Sequence, residues 1–584
     1  MARLNLRIAV AVVIVFAVTT VFVVRLVDLQ VVQASTLVGA ASHRRTVVHT
    51  IYGDRGEITT SDGTALASSV LRFNITAAPN VAKTFSQKNA SGQLVTLTVD
   101  GAMAEIAALT GTTASALENS IRAKPTANFA YLVKGIDDDL SRKITALKIP
   151  WVYLERSSAR TYPDGAVAGN LVGFVGTDGA QAGIEYADNQ CLTGTNGSES
   201  WQTGEDGIQL PGGTQSVSPA SSGGTITTTI NADLQFQVQQ EIAQQAIALG
   251  AQSATGIVMK VSTGDLLAVA DYPSVDPNNV NGTNVGNLGS KAFTDLYEPG
   301  STFKSITASS LLDAGVATPT SQATVTSTRQ FSWGGSISDA EGHPTEKLTL
   351  TGVLQNSSNV GMTYFGEKLT ATQREKYMQK FGFGAQSAVR FPGEPSAVLT
   401  PASRWDTRTS YDTMFGQGVS ATAVQMASAY QTIANHGVRM PVTLVSRCTA
   451  ADGTVTQVPS TTGEQVISAS AADQTVAMLQ NVVSSGTLDG MVPIPGYDIA
   501  AKTGTAQVAD KVGGGYGNNF ITSVGGMFPA ANPQYVVFVT FTKPTVNKSS
   551  AAVAPAFRAI TTDVIQKFEI PPATSAEPQF PATW

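Results

Sequence analysis

The chain has 584 residues, more than one typical domain holds, so two or more folded units are expected. Its composition, 42% hydrophobic and 14% charged, suits packed globular units and excludes a disordered chain. A net charge of −6, with no basic run interleaved with aromatics, argues against nucleic acid as a partner.

The first segment, MARLNLRIAVAVVIVFAVTTVFVVRLVDLQ, carries Arg3 and Arg7 and then an uncharged run from Ile8 to Val24. As a helix this run spans about 25 Å, slightly less than a ~30 Å hydrocarbon core. A snorkelling Arg25 and the added length of Leu26 to Leu29 make up the difference. The pattern predicts a single transmembrane anchor over residues 1–30, with its N-terminus in the cytoplasm and the rest outside. A cleaved signal peptide is the rival, with VQA at 32–34 as a weak cleavage site. The apolar run is longer than the usual signal core of about 7–15 residues, which favours an uncleaved anchor.

Residues 31–224 read as a mixed α+β unit. IYGDRGEITTSDGTALASS is a set of short strands broken by turns at Asp54 and at Asp62-Gly63, and a helix is expected near 100–123. GGTQSVSPASSGG at 212–224 has linker composition, and the main domain boundary is placed there. From residue 225, a β-branched strand passes into a helix with Leu234, Val238, Ile242 and Leu249 on one face and Gly250 at its end. Two apolar runs around Ser262-Thr263-Gly264 form a hairpin signal, and FITSVGGMFP with QYVVFVTFTKP forms a second pair of buried strands. Strands at both ends with helices between predict an antiparallel sheet flanked by helices over 225–570. The Pro-rich residues 571–584 are expected to be disordered. The whole is a multidomain α/β protein.

Cys191 and Cys448 are far apart and lack metal-ligand spacing, which argues against structural zinc and leaves room for one disulfide. The four histidines, His43, His49, His343 and His436, include no HExxH pair and offer few partners for a Ser-His-Asp triad. No metal or cofactor is expected.

Three short motifs lie in the second unit. In EPGSTFKS, Ser301 and Lys304 share a helix face, and Pro299-Gly300 suits a turn into a helix N-terminus. A hydroxyl and an amine so placed can act as nucleophile and base if burial or a second cation lowers the amine's pKa. Taken alone, Ser-x-x-Lys is expected by chance about once in such a chain. In LQNSSNVG, Ser357 can relay a proton and Asn359 can bind an amide, although such tripeptides commonly cap helices. In AAKTGTAQ, Lys502 and the hydroxyls of Thr503 and Thr505 suit a carboxylate, while Gly504 permits close approach of a ligand backbone. An exposed edge strand is the plainer reading of that stretch.

The three motifs in this order, within one domain, resemble the penicillin-binding proteins. The chain is identified as similar to class B penicillin-binding proteins, most closely the division-specific FtsI type. The resemblance covers nearly the whole chain. RLVDLQ, DRGEITTSDGTALA, RTYPDGAVAGNLVGFVG and AGIEYADNQCLTGTNG look like the family's pedestal motifs, and GQGVSATAVQMASAYQTIANHG looks like the segment bordering the active site. Asn231 stands where aspartate is usual and Ala501 where glycine often precedes Lys-Thr-Gly; the Thr/Ala-rich stretch near 84–125 has no counterpart.

The resemblance implies a single anchor, a pedestal and a transpeptidase domain of the serine β-lactamase-like fold. It implies that Ser301 attacks the D-alanyl-D-alanine bond of a peptidoglycan stem peptide while Lys304 takes its proton and Lys502 keeps Lys304 neutral. Ser357 relays a proton to the leaving group, Asn359 holds the substrate amide and orients Lys304, and Thr503, Gly504 and Thr505 bind the terminal carboxylate end. The backbone amides of Ser301 and Thr505 form the oxyanion hole. β-Lactams are the implied inhibitors, a SEDS-type membrane glycosyltransferase and other division proteins the implied partners, and the septum the implied location. An elongation-specific transpeptidase, a membrane-anchored β-lactam sensor or β-lactamase, and an inactive scaffold are the alternatives.

Overall fold

The computed structural model describes residues 2–88, 93–202, 216–395, 399–509, 516–574 and 577–584. It divides into two units: residues 1–54 with 194–222, and residues 55–193 with 223–584.

In the first unit, a stretch free of proline and glycine forms one long helix, α1 (Ala2–Val27). Thr19 and Thr20 turn their hydroxyls back to the carbonyls of Val15 and Phe16 (2.8 Å each), so neither leaves a polar group unsatisfied on the apolar surface. The stretch Arg3–Val32 has a mean hydropathy of 2.7 and no protein cover, and its length and composition suit a membrane span. Later in this unit, strand Thr46–Ile51 pairs antiparallel with Gly197–Gln202, which pairs with Ser216–Ser218. The linker-like segment 212–224 therefore carries a strand; residues 212–215 of it lie outside the described residues.

The second unit opens on a pedestal sheet. Ile58–Thr59 pairs with the long strand Ala65–Ala77, which takes both Ala130–Ile136 and Val152–Thr161 as partners. The unmatched stretch near 84–125 supplies a hairpin and two helices, Val99–Thr110 and Ala114–Arg122. These bury Met103, Ile106, Leu117 and Ile121 in a small core with Ile75 and Trp151. On its other side the sheet continues through Thr225–Thr228 to Val445–Thr449 and Val455–Thr456. The boundary expected at 224 thus falls where one sheet joins strands from both halves. A disulfide between Cys191 and Cys448 ties the same halves together.

Three pedestal motifs converge on one buried carboxylate. Glu185 accepts from Arg55 Nε and Arg160 Nε (2.6 Å each) with its side chain fully buried, and Arg160 also donates to the Gly56 carbonyl (2.6 Å). A buried charge is tolerable only when paired and hydrogen-bonded, which the two arginines from widely spaced segments provide here.

The C-terminal part begins with α2 (Ala232–Leu249), whose N-cap Asn231 accepts from the Leu234 amide (3.0 Å) as an aspartate in its place could. Strands β1 (Ser253–Lys260) and β2 (Leu266–Tyr272) form the expected hairpin. Helices α3 (Lys304–Asp313), α4 (Leu350–Gln355), α5 (Asn359–Gly366), α6 (Ala423–Ala434) and α7 (Ala469–Ser485) follow. Strands β3 (Ala500–Ala509), β4 (Tyr516–Phe528) and β5 (Tyr535–Thr542) then complete an antiparallel sheet of order β2-β1-β5-β4-β3, and α8 (Ala554–Lys567) closes the domain. Helices α2 and α8 pack against the sheet together, while α6 and α7 contact it elsewhere, so β1 and β5 are buried along nearly their whole length. β3 is one of the two edge strands.

Of residues 571–584, expected to be disordered, 577–584 lie along the domain and bridge to Leu348 through Thr583, while 575 and 576 lie outside the described residues. Prolines remove amide donors but leave carbonyls, and those of Pro578 and Pro581 accept from Asn481 and Thr349.

Candidate active site

Pro299 and Gly300 lead into a single 3-10 turn, Gly300–Phe303, after which α3 starts at Lys304. The small residues of KSITASSLL let this helix be buried on every side up to Leu312. Tyr430, on α6, fixes the turn from behind by donating to the Thr302 carbonyl (3.0 Å) and pairing with Ser305 Oγ (3.2 Å). Ser301 is left half-buried at the floor of an open cleft of about 870 Å³.

The second motif occupies the break between α4 and α5. Ser357 adopts a φ of +56°, a conformation unfavourable for a residue with a side chain, and its carbonyl and hydroxyl both turn to lysines. Lys304 Nζ donates to the Ser357 carbonyl and lies 3.5 Å from Ser357 Oγ. Lys502 Nζ donates to the same hydroxyl (2.9 Å) and to Thr503 Oγ1 (3.2 Å). Ser358 is the N-cap of α5, so the capping reading and the proton-relay reading apply to adjacent residues. Asn359 donates to the Ser338 carbonyl (3.3 Å) in place of the expected contact with Lys304.

On β3, Thr503 is buried and Thr505 exposed, and both line the cleft. Gly504 also has a role within the fold. A Cβ there would lie 2.5 Å from Ser523 Oγ and 2.9 Å from the Pro299 carbonyl, so the missing side chain lets the Ser301 turn press against the strand.

Burial governs the two amines. It lowers the Lys304 pKa to about 7, against the opposing charge of Asp339. It lowers Lys502 well below the ordinary lysine value, and the charge of Lys304 lowers it further. Two ammonium groups sharing one hydroxyl repel each other, so proton loss from one stabilises the charge on the other.

Asp339, which no short motif announces, organises the wall beside Ser357. It accepts from Ser358 Oγ (2.6 Å), the Val360 amide (2.9 Å) and His343 Nε2 (3.0 Å). Burial disfavours the charged form of His343, but the bonds to Asp339 and the Pro344 carbonyl outweigh this and raise its pKa. The series His343–Asp339–Ser358 has the members of a catalytic triad with the carboxylate in the middle. Ser358 donates to the carboxylate and not to the imidazole, and its hydroxyl caps a helix. Among the described residues no cluster of metal-ligating side chains occurs.

Residues 254–562 match the penicillin binding protein transpeptidase domain, and residues 50–228 match the penicillin-binding protein dimerisation domain. The chain belongs to the penicillin-binding proteins. Penicillin-binding protein PbpB of Mycolicibacterium smegmatis is 33% identical over 491 residues, covering 82% of this chain and 75% of the relative. Peptidoglycan D,D-transpeptidase FtsI of Escherichia coli K12 is 30% identical over 554 residues, covering 94% of this chain and 89% of the relative. The crystal structure of penicillin-binding protein 3 from Mycobacterium tuberculosis, complexed with aztreonam, aligns with a TM-score of 0.68 at 26% identity, covering 90% of this chain and 98% of that one. This penicillin-binding protein therefore has the dimerisation-plus-transpeptidase architecture that its motif order implies.

Proposed function

We propose that the chain is a membrane-anchored peptidoglycan D,D-transpeptidase of septal cell-wall synthesis, working through an acyl-enzyme on Ser301. The observation that carries this reading is the convergence of Lys304 and Lys502 on Ser357 Oγ, in the cleft that Ser301 and Thr505 also line.

The substrate's terminal carboxylate binds the hydroxyls of Thr503 and Thr505 and draws the positive charge to Lys502, leaving Lys304 neutral. Ser301 Oγ attacks the carbonyl between the two D-alanines as Lys304 takes its proton. The oxyanion is held by the amides of Ser301 and Thr505, each contributing about 3–4 kcal/mol by analogy with other acyl-transfer sites. The C–N bond breaks, Ser357 passes a proton to the departing D-alanine, and the stem peptide remains esterified to Ser301. An amine of a neighbouring stem peptide then attacks the ester, returns its proton through the same groups and forms the cross-link. Asn359 holds the donor amide. β-Lactams acylate the same serine, a reading supported by the aztreonam complex of the mycobacterial relative.

Residues 1–30 are the anchor, 31–224 the pedestal and 225–570 the transpeptidase domain in this reading. Arg3 and Arg7 keep the N-terminus cytoplasmic and the catalytic domain outside. A SEDS-type glycosyltransferase, contacting anchor and pedestal, supplies the glycan strands at the septum. Labelling with a fluorescent penicillin tests the chemistry: wild type labels, while Ser301→Ala does not and Lys304→Ala labels at least about a hundredfold more slowly. Equal labelling of Ser301→Ala would remove Ser301 from the mechanism. Rapid release of the label would point to a β-lactamase, and side-wall localisation of a tagged chain to elongation.

A further inference from the structure

We propose that the segment Glu577–Trp584 is a positioning strap that sets the Ser357 turn and Thr503 for acyl transfer, an inference that rests on the reading above. The strap is fixed at two places. At α7, Asn481 Nδ2 donates to the Pro578 carbonyl (2.7 Å) and to Glu577 Oε1 (3.2 Å), and Asn481 Oδ1 accepts from the Phe580 amide (2.9 Å). Ser484 Oγ donates to the same Glu577 oxygen (2.7 Å). At the start of α4, the Thr349 amide donates to the Ala582 carbonyl (2.9 Å) and its hydroxyl to the Pro581 carbonyl (2.6 Å). The Trp584 ring lies under Lys347 Nζ (4.7 Å).

The packing is close enough to restrict the sequence. A Cβ on Gly352, in the first turn of α4, would lie 2.0 Å from the Ala582 carbonyl oxygen.

From these two anchors, hydrogen bonds run into the site. Asn481 holds the strap with its side chain, and its carbonyl accepts from Gln355 Nε2 (3.1 Å), the last residue of α4. The Gln355 carbonyl accepts from the Thr487 amide (3.2 Å), and Thr487 Oγ1 is 3.3 Å from Thr503 Oγ1. Two residues beyond Gln355 stands Ser357 in its positive-φ conformation. A backbone held in a sparsely populated region persists only when its surroundings over-determine it, and α4 is gripped by the strap at one end and by Asn481 at the other. Releasing the strap loosens α4, lets the Ser357 turn relax and admits water to Lys304.

The test uses the full chain in detergent, with the second-order rate of acylation by a fluorescent penicillin followed across pH. Removing residues 577–584 is expected to slow acylation about ten- to a hundredfold. The acid limb is expected to move up by about one pH unit, towards the ordinary lysine value. The free octapeptide of the sequence EPQFPATW, added at millimolar concentration, is expected to restore both. Asn481→Asp repels Glu577 and the Pro578 carbonyl without shortening the chain; it is expected to reproduce the effect and decides the matter if the truncated chain does not fold. Unchanged rate and limb in a folded variant overturn the inference while leaving the acyl-enzyme reading intact. A slower rate with an unmoved limb also overturns it, since loss of stability alone explains that result. A wild-type chain that does not label overturns both readings.

Discussion

A fully buried amine bonded only to neutral oxygens gives up its proton far below the ordinary lysine value of 10.5, and Lys304 does so at about pH 7. Acylation needs the neutral amine, so its rate is expected to rise with pH through that value, as a pH series of penicillin labelling will show. Asp339 favours the charged form; Asp339→Asn is therefore expected to move the acid limb to lower pH by about half a unit. The same depression has a cost in stability. Between about pH 7 and 10.5 the unfolded chain binds the proton that folded Lys304 lacks, so this group's contribution makes stability rise with pH across that window. Lys304→Met removes the penalty and is expected to raise the stability at pH 7 by on the order of 1–3 kcal/mol, while abolishing acylation. A melt that falls would mean that the bonds to Ser357 outweigh the burial of the amine.

At the scale of elements, the active site depends on a turn pressed against an edge strand. Gly504→Ala places a Cβ within 2.9 Å of the Pro299 carbonyl and within 2.5 Å of Ser523 Oγ. It is expected to cost about 1–3 kcal/mol in stability and to slow acylation at least about tenfold; penicillin labelling and thermal unfolding check this together. The sequence pattern identifies β3 and its Lys-Thr-Gly, the helix after Ser301 and the Ser357 junction, because each is a local string with its own periodicity or turn chemistry. β1 and β5 are equally legible as short, largely apolar runs. Asp339, Tyr430 and the Asn481–Gln355 link are not, since their contacts cross the fold: Tyr430 reaches Thr302 over 128 residues and Gln355 reaches Asn481 over 126. No pattern in either segment records its partner. Gly504 is legible as a glycine that something approaches, but only the fold adds the Ser301 turn to its neighbours.

At the scale of the whole molecule, pedestal and catalytic domain are stapled twice, by a shared sheet and by Cys191–Cys448, which closes a loop of sequence separation 257. Cys191→Ser with Cys448→Ser is expected to lower the stability by about 2–4 kcal/mol, read as a shift in the denaturant midpoint of the full chain. Glu185→Gln is expected to cost about 3–5 kcal/mol by leaving the charges of Arg55 and Arg160 without their carboxylate. A disulfide also suits an oxidising compartment, in keeping with the proposed placement of this domain beyond the membrane.

The shared sheet also has a temporal consequence. A chain exported from its N-terminus first delivers Ile58–Thr59 long before Val445–Thr449, yet both flank Thr225–Thr228 in the finished sheet. In the proposed orientation the pedestal edge stays open while the Ser301 and Ser357 segments emerge, and Cys191 has no disulfide partner until Cys448 arrives. Closing the shared sheet and forming the disulfide therefore come late in the folding of this chain, after the Ser301 and Ser357 segments are available.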